Sequence, residues 1–379
     1  MKRKIAKALN LAFFFVYNRI TMIFKGLDEK KVLFLSEAHF SLNGNLKAVY
    51  DKLGTQFEKK VYVKPDRRQG ERIKEKVALW KDLTTAKYII LDDFYGLTSA
   101  MKLRKNQELV QLWHGSGAFK KFGFSRTNTG DNITNINSGY RKYTKAAVTS
   151  EEVRPCFAEA FGISIDKVQA VGSPRTDMFF DKTAIKNMKE KIHETYPTLR
   201  DKKVVLIAPT YRGKKVEDAS YPFERLKLKE LAKELGDEYQ IITKWHPALY
   251  NNIMRGICQN PATEDVLDVS AYSDINDLLL VTDILVTDYS SVIFDYFLLD
   301  KPVVYFIYDQ EDYQIGRGLY FDFDNYIYGD IAENYEGLVE AIKNEKIFEE
   351  KRNEFNNKFM NTCDGNSTDR VIEWVFGRE

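Results

Sequence analysis

Two histidines stand where apolar runs give out: His114 in LVQLWHGSGAFKKFG and His246 in YQIITKWHPALY. An imidazole, with an ordinary pKa of about 6.5, is suited to take a proton from a hydroxyl near neutral pH. Around His114, the residues Gly115, Ser116 and Gly117 let a substrate approach the backbone, and Lys120 and Lys121 follow. In the second segment Lys244 and His246 are suited to bind phosphate oxygens and to stabilise charge on a leaving group. Each histidine also has a plain structural reading: His114 bonded to a loop carbonyl, and His246 held in a turn by Pro247. GSG is not a Walker A loop and by itself assigns no phosphate.

A third segment, DILVTDYSSVIFDYFLL, reads as a strand, a turn at Thr287 and Asp288, and a helix beginning near Ser290 or Ser291. Hydroxyl residues at a helix start add donors to the backbone N–H groups there, which suits a pyrophosphate as well as an ordinary capped helix. Arg175 in GSPRTD, Arg212 in APTYRGKK and Arg317 in DYQIGRGLYFDF lie in loops with Gly or Pro, where arginine suits bidentate capture of phosphate. A structural salt bridge explains any one of them equally well, whereas a shared anion explains the set. Asp309, after PVVYFIY, is a candidate acceptor for a sugar hydroxyl. Asp92 and Asp93 after KYIIL are adjacent rather than D-x-D, and read as a strand-end turn. SEAHFSLNGN places His39, Asn43 and Asn45 at the first strand–helix junction, but Gly44 belongs to no GxGxxG, which argues against dinucleotide binding. Cys156, Cys258 and Cys363 form no CxxC and the four histidines no HExxH, so a reducing compartment and no metal site are expected.

The elements that must carry these residues are short apolar, β-branched runs alternating with helical patterns. They are KVLFL, KKVYV, KYIIL, LVQLW, AAVTS and VQAVG, then VVLIAPT, YQIITKW, DILVTD and PVVYFIY. Continuous apolar strands separated by helices predict parallel sheets covered on both faces, and there are enough for two. At about 150 residues per domain, 379 residues also suggest two domains. The charged stretch 182–203 reads as the connection between them. The expected organisation is an N-terminal helix over 1–27, a first Rossmann-like domain over 28–185 and a second over 186–379. The last helices either close the second domain or cross back to the first. The fold class is α/β, two Rossmann-like domains facing each other across a cleft, with ligands beyond the carboxyl ends of the strands.

Composition narrows the field further. With 44% hydrophobic and 30% charged residues the chain is neither disordered nor collagen-like, and it has no apolar run of the length a spanning helix needs. A net charge of +2 argues against nucleic acid as a partner. The charge is locally uneven, because residues 1–27 hold six basic and no acidic residues. Ile5, Leu9, Ala12, Phe13, Val16, Ile20, Ile23 and Phe24 recur at helical spacing, with Lys4, Lys7, Asn18 and Lys25 opposite. Such a basic amphipathic helix is expected to lie on an anionic membrane surface through residues 2–24. A signal peptide and a helix simply packed on the domain are the alternatives. Asn18 and Arg19 interrupt the apolar run and no A-x-A site follows, which disfavours secretion.

Seven blocks in order resemble the teichoic acid glycerophosphotransferases that use CDP-glycerol. They are WHGSGAFKKFG (113–123), GSPRTD (172–177), APTYR (208–212), KWHP (244–247), DINDLL (274–279), VTDYSSVIFDY (286–296) and YDQEDYQIGRG (308–318). The resemblance covers about residues 105–325. It implies a GT-B type architecture, a peripheral enzyme on the cytoplasmic face of the bacterial membrane, and a lipid-linked acceptor. It maps the essential histidines onto His114 and His246, and donor pyrophosphate contacts onto Arg212, Ser290, Ser291 and Arg317. GAFKKFG resembles the primase branch, which adds the first glycerol phosphate to an undecaprenyl-diphosphate-linked ManNAc-GlcNAc disaccharide. The polymerases usually read WHGTPLKKLG there.

Together these readings give an expected mechanism. The acceptor hydroxyl loses its proton to His114 and attacks the glycerol-bearing phosphorus of CDP-glycerol in line, and CMP departs. Lys244, His246, the arginines and the Thr287–Ser291 turn hold the phosphate oxygens, with no metal required. A glycerol or ribitol phosphate polymerase of the same family is the near alternative. An inactive module that binds nucleotide or polyol phosphate, and a nucleotide-sugar transferase, are the distant ones.

Overall fold

The computed structural model describes residues 2–64, 73–126, 137–213, 217–261, 263–310, 313 and 318–377. Arg317, one of the expected phosphate ligands, lies outside the described residues. The chain divides into two compact units, residues 1–177 with 358–379, and residues 178–357. The expected junction at 185/186 falls inside the helix Lys182–Thr195, which belongs wholly to the second unit. The final helix, Ser367–Phe376, returns to the first unit. Its start is capped by Asp177 of the GSPRTD block, whose carboxylate accepts from Ser367 N at 3.0 Å and Thr368 N at 2.7 Å.

The first unit holds a six-stranded sheet: β1 (Asp28–Leu35), β2 (Glu58–Tyr62), β3 (Ala86–Leu91), β4 (Glu108–Gln111), β5 (Lys145–Val148) and β6 (Val168–Ala170). The strands are parallel throughout, in the order β2-β1-β3-β4-β5-β6. Val32 to Leu35 and Ile89 to Leu91 are completely buried, as strands covered on both faces require. The second unit repeats the plan with β7 (Lys203–Ile207), β8 (Tyr239–Thr243), β9 (Val266–Asp268), β10 (Ile284–Thr287), β11 (Val303–Phe306) and β12 (Asp330–Ala332). Its order is β12-β11-β10-β7-β8-β9, again all parallel. β9 and β12 were not predicted: each is three residues long and carries an aspartate, too little apolar pattern to register.

Strand order reverses between β1 and β3 in one sheet and between β7 and β10 in the other. A doubly wound sheet opens a crevice at such a point, beyond the carboxyl ends of the strands.

The N-terminal helix α1 (Lys2–Phe24) packs against α3 (Ile73–Thr85) by the side opposite its apolar stripe. Phe14 and Asn18 are completely buried, with Phe14 and Tyr17 against Trp80 at ring distances of 6.0 and 5.6 Å. Ile5, Leu9, Phe13, Val16, Ile20, Ile23 and Phe24 are all exposed, between 51% and 78%. Asn18 lies opposite the apolar stripe, as the spacing predicts, and that side faces the protein, where its amide finds two partners. Among the described residues no helix is long and apolar enough to cross a membrane.

Candidate functional site

Strand β4 ends at Gln111 and delivers Trp113 and His114 beyond the sheet edge. Trp113 adopts φ 58°, a left-handed conformation unusual for a bulky residue. Its carbonyl is gripped by Asn45 Nδ2 at 2.7 Å, and its N–H donates to Gln111 Oε1 at 2.8 Å. Asn45 lies at the start of helix α2 (Gly44–Lys52) and is buried. It also donates to Leu112 O at 3.2 Å and accepts from Ser173 Oγ at 3.0 Å and Arg175 N at 2.8 Å. One amide on α2 thus ties the WHGSG and GSPRTD blocks together. Gly172 in the same block has φ 90°, and a Cβ there would meet Ser367 Oγ at 2.3 Å and Thr362 O at 2.6 Å.

His114 lies half-exposed against the Trp113 indole at 4.4 Å. Its Nδ1 is 3.7 Å from Asp93 Oδ1. Its pKa is lowered on balance: desolvation by the surrounding protein outweighs Asp93 and a hydrogen bond to the Asp92 backbone, which raise it, and Arg175 and His39 lower it further. A carboxylate beside Nδ1 favours the proton there and leaves Nε2 as the basic nitrogen. Asp93 was read from sequence as a turn residue. The available signal is its place two residues past the end of β3, the neighbour of the strand that leads to His114.

Asp92 and His39 meet at the β1/β3 reversal, with Asp92 Oδ2 4.0 Å from His39 Nε2. Burial pushes the Asp92 carboxyl up to about 6, against the Ser36 hydroxyl and His39, which hold it down. Glu37 lies on the same loop and accepts from Gly96 N at 2.9 Å; burial raises its pKa too.

In the second unit, the reversal between β7 and β10 is filled by an ion cluster. Arg212 Nε and Nη2 grip Asp309 at 2.5 and 2.9 Å, and Nη1 reaches Asp288 Oδ2 at 2.8 Å and Thr210 O at 3.2 Å. Rings of Tyr221, Tyr289, Tyr308 and Tyr313 lie 5.0 to 5.5 Å from its guanidinium carbon. Burial alone would weaken the cation, but the two carboxylates outweigh it and raise its pKa. The sequence expectation is that Arg212 meets donor phosphate; in the structure four of its five N–H donors point to Asp309, Asp288 and Thr210.

Asp309 is equally committed, since both its oxygens serve Arg212. Thr287 and Asp288 face the protein. Thr287 Oγ1 donates to Ala208 O at 2.7 Å, and Asp288 is completely buried with Oδ1 accepting from Thr210 N at 2.7 Å. Ser290 and Ser291 precede a helix of only six residues, Val292–Phe297. Ser290 Oγ accepts from Val292 N at 3.4 Å and Ser291 is exposed.

Strand β8 delivers Lys244 and His246. Lys244 Nζ donates to Ser270 O at 3.2 Å and Tyr272 O at 2.7 Å, and burial lowers its pKa. His246 is exposed and caps the helix Pro247–Met254, its Nδ1 accepting from Ala248 N at 3.1 Å. That bond places the neutral ring's proton on Nε2, so His246 presents a donor where His114 presents a base. The DINDLL block has a structural explanation, because Asp274 caps the helix Ile275–Val281. Among the described residues, no group of three His, Cys, Asp or Glu is placed to hold a metal.

Residues 16–377 match the profile of the CDP-glycerol:poly(glycerophosphate) glycerophosphotransferase family. The chain belongs to that family. It is 38% identical over 376 residues to the teichoic acid poly(ribitol-phosphate) polymerase of Bacillus spizizenii, across 98% of this chain and 60% of that protein. It is 33% identical to the teichoic acid glycerol-phosphate primase of Bacillus subtilis, across 76% of this chain and 73% of that protein. The chain thus spans less than two thirds of the first relative's length. The fold is that of the wall teichoic acid polymerase TagF, with a TM-score of 0.78 over 99% of this chain and 97% of that one, at 22% identity.

Proposed function

We propose that this member of the teichoic acid transferase family moves a polyol phosphate from a CDP-polyol to a lipid-linked acceptor, releasing CMP. The observation that carries the reading is the His114–Asp93 pair at the carboxyl edge of the first sheet, with Nδ1 and Oδ1 3.7 Å apart. The acceptor O–H gives its proton to His114 Nε2 as its oxygen attacks the polyol-bearing phosphorus, and the P–O bond to CMP breaks. His246 Nε2–H donates to a phosphate oxygen, with Lys244, Ser290, Ser291 and Arg317 as the further donor-side contacts. Arg212, Thr287, Asp288 and Asp309 hold the loops that carry them.

Ribitol is the favoured polyol, on the 38% identity across nearly the whole chain to a ribitol-phosphate polymerase. The GAFKKFG block supports a second reading, a single glycerol phosphate from CDP-glycerol placed on an undecaprenyl-diphosphate disaccharide. The test is incubation with CDP-ribitol or CDP-glycerol and a lipid disaccharide, weighing the products. Ribitol additions support the first reading, a single glycerol unit the second, and absence of CMP release with either donor refutes both. We further propose metal-independent transfer; loss of the rate in EDTA with rescue by magnesium would refute it.

The outward stripe of α1 is proposed to bind an anionic bilayer at the cytoplasmic face. Its exposed apolar residues run along one side, and the segment around them is purely basic. Sedimentation with anionic vesicles tests this, and no difference after removal of residues 2–24 would refute it.

A further inference from the structure

We propose that Asn18 is a positioning residue, locking α1 to the segment that carries Asp93 so that the bilayer fixes the height of the His114 base. The inference rests on the membrane reading of α1 above. Asn18 is completely buried, its Nδ2 donating to Thr84 Oγ1 at 3.2 Å and its Oδ1 accepting from Lys102 N at 2.8 Å. Arg19 donates to Ala100 O at 2.7 Å. Arg104 reaches back to Met22 O at 3.3 Å and to Lys25 O, and anchors itself on Thr84 O at 3.1 Å. Residues 100–104 are therefore stitched to α1 along its last two turns.

The same segment is stiff in the direction of the base. Asp93 lies seven residues before Ala100, and the 3-10 turn Gly96–Ala100 takes up most of that length. Lys142 Nζ donates to three of its carbonyls, Thr98 O at 2.9 Å, Ser99 O at 2.7 Å and Met101 O at 2.6 Å. Gly96 N is held by Glu37, and the Thr98 and Ser99 hydroxyls bond Tyr95 O and Gly96 O, both at 2.7 Å. A tilt of α1 is thus transmitted to Asp93 and to the imidazole beside it. A leucine would fill the space of Asn18, but the amide, unlike leucine, adds to the Arg19 and Arg104 bonds a penalty on sliding or rotation, because either motion strands two buried polar groups. An acceptor hydroxyl held at fixed depth by its lipid requires that precision, since a displacement of about 1 Å at the reacting atoms costs on the order of 100-fold in rate.

The test compares wild type with Asn18→Leu and Asn18→Ala in three measurements. These are sedimentation with anionic vesicles, transfer to a water-soluble short-chain acceptor, and transfer to the acceptor embedded in those vesicles. Vesicle binding and soluble transfer are expected within about two-fold of wild type, while embedded transfer falls by about ten-fold or more. Unchanged embedded transfer overturns the inference, as does an equal fall with both acceptors. Wild type that fails to sediment refutes the membrane reading and the inference with it. Wild type that sediments beside variants with an unchanged ratio of the two rates refutes the inference alone.

Discussion

Replacing Asn45 with alanine removes four hydrogen bonds at once, at 2.7, 2.8, 3.0 and 3.2 Å, from a site that is 2% exposed. At about 1 kcal/mol net per bond, the expected loss is about 3–4 kcal/mol. Asn45→Asp separates the two halves of the interaction. A carboxylate still accepts from Ser173 Oγ and Arg175 N but cannot donate to Leu112 O or Trp113 O. Its buried charge also faces those two carbonyl oxygens, so it should lose at least as much stability as alanine while loosening the His114 turn nearly as much. Urea unfolding followed by tryptophan fluorescence reads the first unit through Trp80, Trp113 and Trp374 and the second through Trp245, so the Asn45 effect is the change in the first unit's transition, and CMP release reads the base. An Asn45→Ala loss below about 1 kcal/mol, or wild-type turnover by Asn45→Asp, would refute the reasoning.

His114→Ala is expected to lower kcat by about 10² to 10⁴. Because Asp93 raises the proton affinity of His114, Asp93→Asn should move the acid limb of the pH–rate profile to lower pH; a shift to higher pH contradicts the pairing. Arg212→Ala leaves Asp288 buried without its cation and should cost about 3–5 kcal/mol in stability, more than Asp309→Asn. A loss of donor affinity at unchanged stability would restore Arg212 as a phosphate ligand. Phe13→Glu, on the exposed face of α1, should weaken vesicle binding by about ten-fold or more without altering thermal unfolding.

The local pattern of the chain determined a great deal. Continuous β-branched runs specified parallel strands because a strand buried on both faces has no polar alternation to show, and the ends of those runs marked His114, Lys244 and His246 as edge residues. The three- and four-residue spacing specified the apolar stripe of α1 for the same reason, since side-chain direction follows helix period. What spacing does not contain is strand order. The β3/β4 pairing brings Asp93 beside His114, and the β7/β10 reversal brings Arg212 onto Asp288 and Asp309, 76 and 97 residues away. A guanidinium in a loop reads identically whether it awaits a phosphate or already holds two carboxylates, and only tertiary placement decides between them. The same holds for Asn45, whose partners lie 67 to 130 residues on, and for Asn18, polar by type yet inward by packing. A polar side chain is buried wherever the fold supplies partners for it, and those partners come from distant parts of the chain.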